Sequence, residues 1–173
     1  MLTNIFSNLF RFFILLLVQI LVLNRIEIPF LFTPLIYPLF LIRLPIDMPR
    51  WLLLCVAFGA GLCVDMFSDS MGINAAACVA TVYFREGIFF LFRPPAGYEP
   101  MHKPTIGVMG ARWFISVTVL LLFIHHVVFY LLQIFSFGLF FHLFIKLIFT
   151  TLLSILLIVL TEFLFFKKKP RTV

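Results

Sequence analysis

Residues 61–74 read Gly-Leu-Cys-Val-Asp-Met-Phe-Ser-Asp-Ser-Met-Gly-Ile-Asn and interrupt a long apolar stretch. They follow one apolar segment, 51–67, and lead into the next, which starts at Ile73. Residues spaced i, i+4, i+7 and i+11 share one face of a helix. Four small or polar residues have this spacing: Gly61, Asp65, Ser68 and Gly72. The stretch therefore predicts the end of one helix before Gly72, a short turn, and the start of a second helix.

The composition of the chain indicates an integral membrane protein. Of its 173 residues, 64% are hydrophobic and only 12% are charged, and 25 are Phe. Soluble domains carry about 25% charged residues. At about 20 residues per crossing, this length allows about five to seven membrane helices and no sizeable soluble domain. We therefore expect an all-α integral membrane protein.

The apolar segments predict one polytopic membrane domain over residues 1–173 with about six transmembrane helices. The expected spans are 9–23, 29–44, 50–67, 73–92, 112–135 and 140–166, followed by a basic cytoplasmic tail at 167–173. The second span contains Pro34 and Pro38, which kink or interrupt a helix. This segment is either a full crossing or a re-entrant one, because irregular backbone at membrane depth requires protein neighbours.

The distribution of basic residues predicts the orientation. With the N-terminus inside, eleven of the 13 Lys and Arg residues fall on the cytoplasmic side, as the positive-inside rule requires. Both termini are then cytoplasmic, and anionic lipid headgroups rather than nucleic acid account for the net charge of +6. Asp65 and Asp69 then lie near the outer membrane face. Arg85 and Glu86 are expected as an interfacial ion pair, and Glu162 near the inner headgroups.

Six residues form a candidate partner-binding or structural polar face: Gly61, Asp65, Ser68, Asp69, Gly72 and Asn74. Asp65 and Asp69 are one helical turn apart, so they could act as an acid–base pair or hold a cation. The alternative is that Asp65 caps or hydrogen-bonds a neighbouring helix while Asp69 is solvated. Asn74, at the start of the next helix, is expected to serve in capping.

The sequence predicts no catalytic, cofactor-binding or metal-binding residues. His125 and His126 point about 100° apart on a helix, and neither His102 nor His142 adds a metal-ligand spacing. No nucleotide-binding loop, nucleophile triad or haem motif occurs. We therefore expect a protein that is not an enzyme and carries no cofactor.

The pattern Gly61-x-x-x-Asp65-x-x-Ser68-x-x-x-Gly72-x-Asn74, between two apolar spans, resembles the central signature of the MreD family of bacterial rod shape-determining proteins. Further matches are a glutamine in the first span, Gln19, a proline in the second, Pro34, and the basic tail. The resemblance covers the whole chain by layout, but only the stretch 61–74 is specific.

The resemblance implies a multi-pass component of the bacterial inner membrane that serves the cell-elongation machinery. MreD-like proteins pair with MreC and, through it, connect MreB filaments with the RodA glycosyltransferase and a class B penicillin-binding transpeptidase. The family's six-helix fold is similar to the substrate-binding component of energy-coupling-factor transporters. That likeness concerns the fold and does not confer transport.

Three functions are therefore compared. The first is a non-enzymatic scaffold for lateral peptidoglycan synthesis, in contact with membrane lipid. In it, the polar face organises a groove near the outer leaflet that accepts the transmembrane or juxtamembrane segment of an MreC-like partner. The second is a small-molecule or lipid-binding membrane subunit of a transporter, which requires an outward pocket with convergent polar groups. The third is an intramembrane enzyme that acts through the aspartates.

Overall fold

A computed structural model describes residues 2–25, 34–95, 97–98, 104–133 and 140–164, with side chains from Phe10 in the first helix and from Phe144 in the last. This part of the chain is helical and contains no strand. Its α-helices are α1 (Leu2–Leu21), α2 (Pro38–Ile42), α3 (Arg50–Ser68), α4 (Ile73–Leu91), α5 (Ile106–Met109), α6 (Ala111–Gln133) and α7 (Phe140–Leu164), and α1 continues into a 3-10 turn at Leu23–Arg25. The predicted tail at 167–173, and the side chains of His102 and His142, lie outside the described residues.

Four of the described helices are long and apolar enough to cross a membrane: α3, α4, α6 and the Phe144–Leu164 part of α7. At 1.5 Å per residue, a 19-residue helix spans about 28 Å, close to the thickness of a bilayer core. At most half of each helix is buried within the protein. The outward faces carry side chains such as Phe58, Phe123 and Leu156, which suit contact with lipid. These features indicate a membrane protein.

The second predicted span differs most from the structure. Within 29–44, the described helix is only α2, which covers the five residues Pro38–Ile42, and residues 34–36 are not helical. The prolines explain this, because Pro34 and Pro38 donate no backbone hydrogen bond and Pro38 fits best in the first turn of a helix. The segment is nonetheless buried: Leu39, Leu41 and Ile42 are fully inaccessible. It packs between α1, α4 and α6.

The closest helix pair is α3 and α4, which form an antiparallel hairpin. On the other side, α4 packs against α6, and α6 against α7. Gly61 is buried in the hairpin, and a Cβ atom added there would lie 2.3 Å from the Ala75 Cα atom. The glycine therefore sets the distance between the two backbones, as small residues commonly do between membrane helices.

We call the end of the bundle that carries the α3–α4 turn (residues 69–72) the turn end, and the opposite one the distal end. At the distal end, Arg85 is almost fully buried within the protein and does not form the ion pair with Glu86 that the sequence predicts. Its Nη2 atom donates hydrogen bonds to the carbonyl oxygens of Leu44 and Pro45, beyond the end of α2. Glu86 lies instead 3.9 Å from exposed Arg50.

Glu162 is buried within the protein, and its expected position near the inner headgroups stays a prediction. Its Oε2 atom lies 2.9 Å from Nη1 of Arg43, and its Oε1 atom accepts a hydrogen bond from the backbone N–H of Ile106 at 3.3 Å. A buried carboxylate requires such partners, since isolated charge is costly away from water. The pair joins α7 to the residue that follows α2 and to the start of α5.

Gly61→Ala and Gly59→Ala form a matched pair that tests the hairpin packing. Gly61→Ala forces α3 and α4 apart and should lower the free energy of unfolding by about 1–3 kcal/mol or more. A Cβ atom at Gly59 meets nothing within 4 Å, so Gly59→Ala should stabilise the helix by about 0.5–1 kcal/mol. Thermal unfolding of both purified variants in one detergent measures the difference. Equal midpoints for the two variants would contradict the packing.

Candidate functional site

The turn between α3 and α4 is tight and uses left-handed backbone. Asp69, Met71 and Gly72 have φ angles of 55°, 43° and 88°. Asp69 ends α3 and Gly72 precedes the first residue of α4. Asp and Gly adopt this conformation more readily than other residues, whereas a methionine there is uncommon. The chain thus reverses within four residues.

Asp65 provides the cap for the N-terminus of α4 from across the turn. Its Oδ1 atom accepts hydrogen bonds from the backbone N–H of Asn74 at 3.0 Å, the Asn74 side-chain amide at 3.0 Å and the Ser70 hydroxyl at 2.6 Å. Its Oδ2 atom accepts the backbone N–H of Ala75 at 2.9 Å. The carboxylate is buried and acts as acceptor in all four bonds.

This arrangement replaces an ordinary helix cap. The first backbone N–H groups of a helix have no partner within it, and a side chain at the preceding residue usually accepts from them. That residue is Gly72, which has no side chain. Asp65 therefore bonds the second and third N–H groups of α4 instead, and its charge lies at the positive end of the helix dipole. The same contacts fix α3 and α4 in register.

Ser68 and Asp69 lie beside the cap but play different roles. The Ser68 hydroxyl accepts a hydrogen bond at 3.2 Å from the Asn24 side chain, which joins α3 to the turn after α1. Asp69 is exposed and forms no ion pair within the described part of the chain. Both carboxylate oxygens of Asp65 accept hydrogen bonds in the cap, whereas Asp69 is exposed.

Asn74 extends the cap into the interior of the bundle. Its side-chain oxygen accepts a hydrogen bond from the Tyr37 hydroxyl at 2.8 Å, and the oxygen of that hydroxyl lies 2.9 Å from the Nε2 atom of His125. Tyr37 has one hydroxyl hydrogen, which it donates to Asn74, so His125 donates its Nε2–H to the Tyr37 oxygen. All three side chains are buried. The network joins α4, the residue before α2, and α6.

A second network holds the irregular backbone before α2. The side-chain amide of Gln19 in α1 donates a hydrogen bond to the Pro34 carbonyl at 3.1 Å. Its oxygen accepts one from the backbone N–H of Ile36 at 2.8 Å. The N–H of Leu35 donates to the Ser154 hydroxyl of α7 at 2.9 Å. Gln19 and Ser154 are fully buried. These side chains supply the hydrogen bonds that the segment would form with itself in a helix, which non-helical backbone at membrane depth requires.

A cavity of about 570 Å³ lies next to the cap, and we call it the turn-end cavity. It is bordered by the ends of α1, α3 and α6, by the first half of α7, and by the start of α4. The polar and charged side chains in its wall include Asn24, Arg25, Asp69, Gln133 and Lys146. Ligand sites of small molecules commonly occupy about 300–1,000 Å³ and combine apolar walls with a few convergent polar groups. The cavity has both properties.

The structure uses the six residues of the candidate polar face in three ways. Asp65 and Asn74 form the cap, Gly61 and Gly72 permit the helix contact and the turn, and Ser68 and Asp69 border the cavity, as does Asn74. Sequence reasoning did not assign roles at this end to Tyr37 or His125. Tyr37 and His125 carried no spacing signal, because their contact joins residues 88 positions apart.

The described residues contain no group of three or more His, Cys, Asp or Glu side chains that could hold a metal ion. His126 donates its Nδ1–H to the Leu122 carbonyl at 2.7 Å, and the Ser154 hydroxyl lies 3.4 Å from its Nε2 atom. His125 and His126 thus serve separate hydrogen-bond networks.

No protein-family model matches the sequence, and no curated protein or solved structure matches it at a significant level.

Asp65→Asn tests the cap against a matched control. Asparagine keeps the shape of the side chain but replaces one carboxylate oxygen with an NH₂ group. This donor then faces a backbone N–H group that donates a hydrogen bond to the carboxylate in the parent chain. We expect the free energy of unfolding to fall by about 1–3 kcal/mol, the cost of a buried donor without acceptor. Asp69→Asn should stay within about 0.5 kcal/mol, because the side chain is exposed and Asn tolerates left-handed backbone. Thermal unfolding in detergent checks both, and equal stability of Asp65→Asn and the parent chain would refute the cap.

Proposed function

We propose that the chain is a non-enzymatic scaffold of the bacterial inner membrane that binds an MreC-like protein and supports lateral peptidoglycan synthesis and cell shape. The proposal rests on the resemblance of residues 61–74 to the MreD signature. It is supported by the observation that these residues form a tight helix hairpin whose turn carries exposed side chains. RodA-like, transpeptidase and MreB components would belong to the same assembly.

The observation that carries partner binding is a group of exposed apolar side chains at the end of α3 and in the turn. Met66, Phe67 and Met71 are exposed by 81%, 61% and 100%, and they lie next to Asp69 and Ser70. We call these three side chains the turn patch. They contribute little to the packing of their own chain. Exposed apolar groups bordered by polar ones are typical of interaction surfaces, and methionine adapts to varied partner shapes.

The proposed topology has six spans with both termini cytoplasmic. Two observations favour it. α1 has 20 residues, which is long enough for a crossing. Basic residues are more frequent at the distal end, where Arg43, Arg50, Arg85, Arg93 and Arg112 lie, than at the turn end, where Arg25 and Lys146 lie. By the positive-inside rule the distal end is then cytoplasmic and the turn patch faces outward. The likeness to energy-coupling-factor binding components remains part of this proposal.

The contacts of Asp65 favour a scaffold over an intramembrane enzyme. A general base or nucleophile needs an oxygen atom that can reach a substrate. Both oxygens of Asp65 already accept hydrogen bonds from the cap. Removing the carboxylate would therefore disturb the fold rather than a reaction.

The turn-end cavity favours a second candidate, a small-molecule or lipid-binding subunit of a transporter. The two functions differ in what accompanies the purified chain. If the chain is a scaffold, an MreC-like protein co-purifies with it in fixed proportion. If it is a transport subunit, an energising transporter module and a bound solute co-purify with it. Purification from the native membrane, followed by mass spectrometry of proteins and small molecules, distinguishes them.

Met71→Lys tests the turn patch as the partner surface. The fully exposed side chain contributes no packing, so stability should be unchanged, while charge placed at an apolar contact should reduce recovery of the MreC-like partner about tenfold or more. Co-purification from the native membrane at equal expression measures this. Substitutions of Gly61 or Asp65 are poor probes of the partner, because those residues hold the hairpin itself.

Leu91→Lys is the matched control, since Leu91 is 71% exposed at the distal end of the same hairpin. It should leave recovery of the partner unchanged. Undiminished recovery with Met71→Lys, or an equal loss with Leu91→Lys, would argue against the turn patch.

A further inference from the structure

We infer that the turn-end cavity is a binding site for an amphiphile with a monoanionic group, a phosphodiester or a carboxylate, held between Arg25 and Lys146. The proposed scaffold function requires no ligand, so this inference goes beyond it. The inference is argued from the charged groups of the cavity, from the apolar side chains in its wall and from its volume.

The charges of the wall favour a single negative charge. Arg25 and Lys146 both border the cavity, and neither forms an ion pair within 4.0 Å in the part of the chain that the structure describes. Among the described residues of the wall, the one carboxylate beside these two basic groups is that of Asp69, so the three side chains together carry a net charge of +1. A cation embedded in a membrane helix usually has a counter-charge or a wet cavity. An anion between the two basic groups supplies that counter-charge through charge-assisted hydrogen bonds.

The position of Lys146 directs its charge to the cavity. Its ammonium nitrogen lies 5.6 Å from the centre of the Tyr130 ring, and both residues border the cavity. The Tyr130 hydroxyl is fixed by a hydrogen bond to Thr150 at 2.9 Å. Lys146 therefore rests on a ring that α7 itself holds in place. A cation–π contact of this kind orients the ammonium group without neutralising it.

The apolar part of the wall favours an amphiphile over a simple ion. Ile20, Val64, Phe67 and Phe129 line the cavity beside the charged groups. Phe67 is largely exposed, so the apolar wall continues to the outer surface of the bundle. A divalent cation is disfavoured, because two basic groups oppose one carboxylate. A ligand with one anionic group and an apolar portion satisfies both kinds of surface.

The test uses the full chain, purified and delipidated in a neutral detergent. The probes are dihexanoyl phosphatidylglycerol, which carries a monoanionic phosphodiester, dihexanoyl phosphatidylcholine as the zwitterionic comparison, and glycerophosphoglycerol as the soluble anion with the same phosphodiester. Titration calorimetry should show saturable binding of phosphatidylglycerol that exceeds binding of phosphatidylcholine about tenfold. Competition by glycerophosphoglycerol would assign the site to a soluble anion, and its failure to compete would assign the site to a lipid.

Lys146→Gln and Arg25→Gln should each weaken the affinity for the anionic probe about tenfold or more, the loss expected for one charged hydrogen bond. Arg112→Gln is the matched control, because Arg112 is exposed at the distal end, and it should change nothing. Having two variants keeps the test valid if one fails to fold. Absence of saturable binding by both anions, or an equal loss with Arg112→Gln, would overturn the inference.

Discussion

The free N–H groups at the start of α4 are the constraint on which the rest of the structure depends. Backbone donors at membrane depth must find acceptors within the protein, because lipid offers none. Asp65 meets this need from the preceding helix, with two backbone and two side-chain donors on one carboxylate. This solution requires α3 and α4 to approach closely, hence a glycine at 61, and a sharp reversal, hence a glycine at 72.

The same constraint explains the interior of the bundle. The irregular segment 34–37 cannot satisfy its own backbone, and polar side chains of α1 and α7 do so for it. Asn74 carries the network from the cap to Tyr37 and from there to His125. Because fully satisfied polar networks specify one arrangement of their partners, the buried polar residues of this apolar chain fix which helices are neighbours. The Phe and Leu side chains on the outward faces do not determine which helices are neighbours.

Sequence reasoning reached the hairpin because all its determinants are local. Helical spacing, two glycines and an acid lie within fourteen residues, and a cap was one of the roles considered for Asp65. Sequence reasoning failed where two contacting residues are distant from each other along the chain. Leu35 meets Ser154 across 119 residues, and Arg43 meets Glu162 across a similar distance. Hydrophobic periodicity carries no information about such pairs, so the burial of Arg85 could not be foreseen, whereas Pro34 and Pro38 already indicated an interrupted second span. The cavity could not be predicted either, because its wall is formed by residues of five helices, most of them distant from one another along the chain.

Residues that resemble a family signature need not form the surface that performs the function. In this chain Gly61, Asp65 and Asn74 hold the hairpin together, and the polar atoms of Asp65 and Asn74 face one another. Whatever the chain binds must therefore contact groups that the fold leaves unused. At the turn end these are the apolar turn patch and the basic pair Arg25 and Lys146, which differ in chemistry and hence in partner. An apolar surface suits a protein helix, whereas a cavity with net positive charge suits an anion. Phe67 belongs to the turn patch and also lines the cavity, so occupation of one surface can alter the other directly through this side chain.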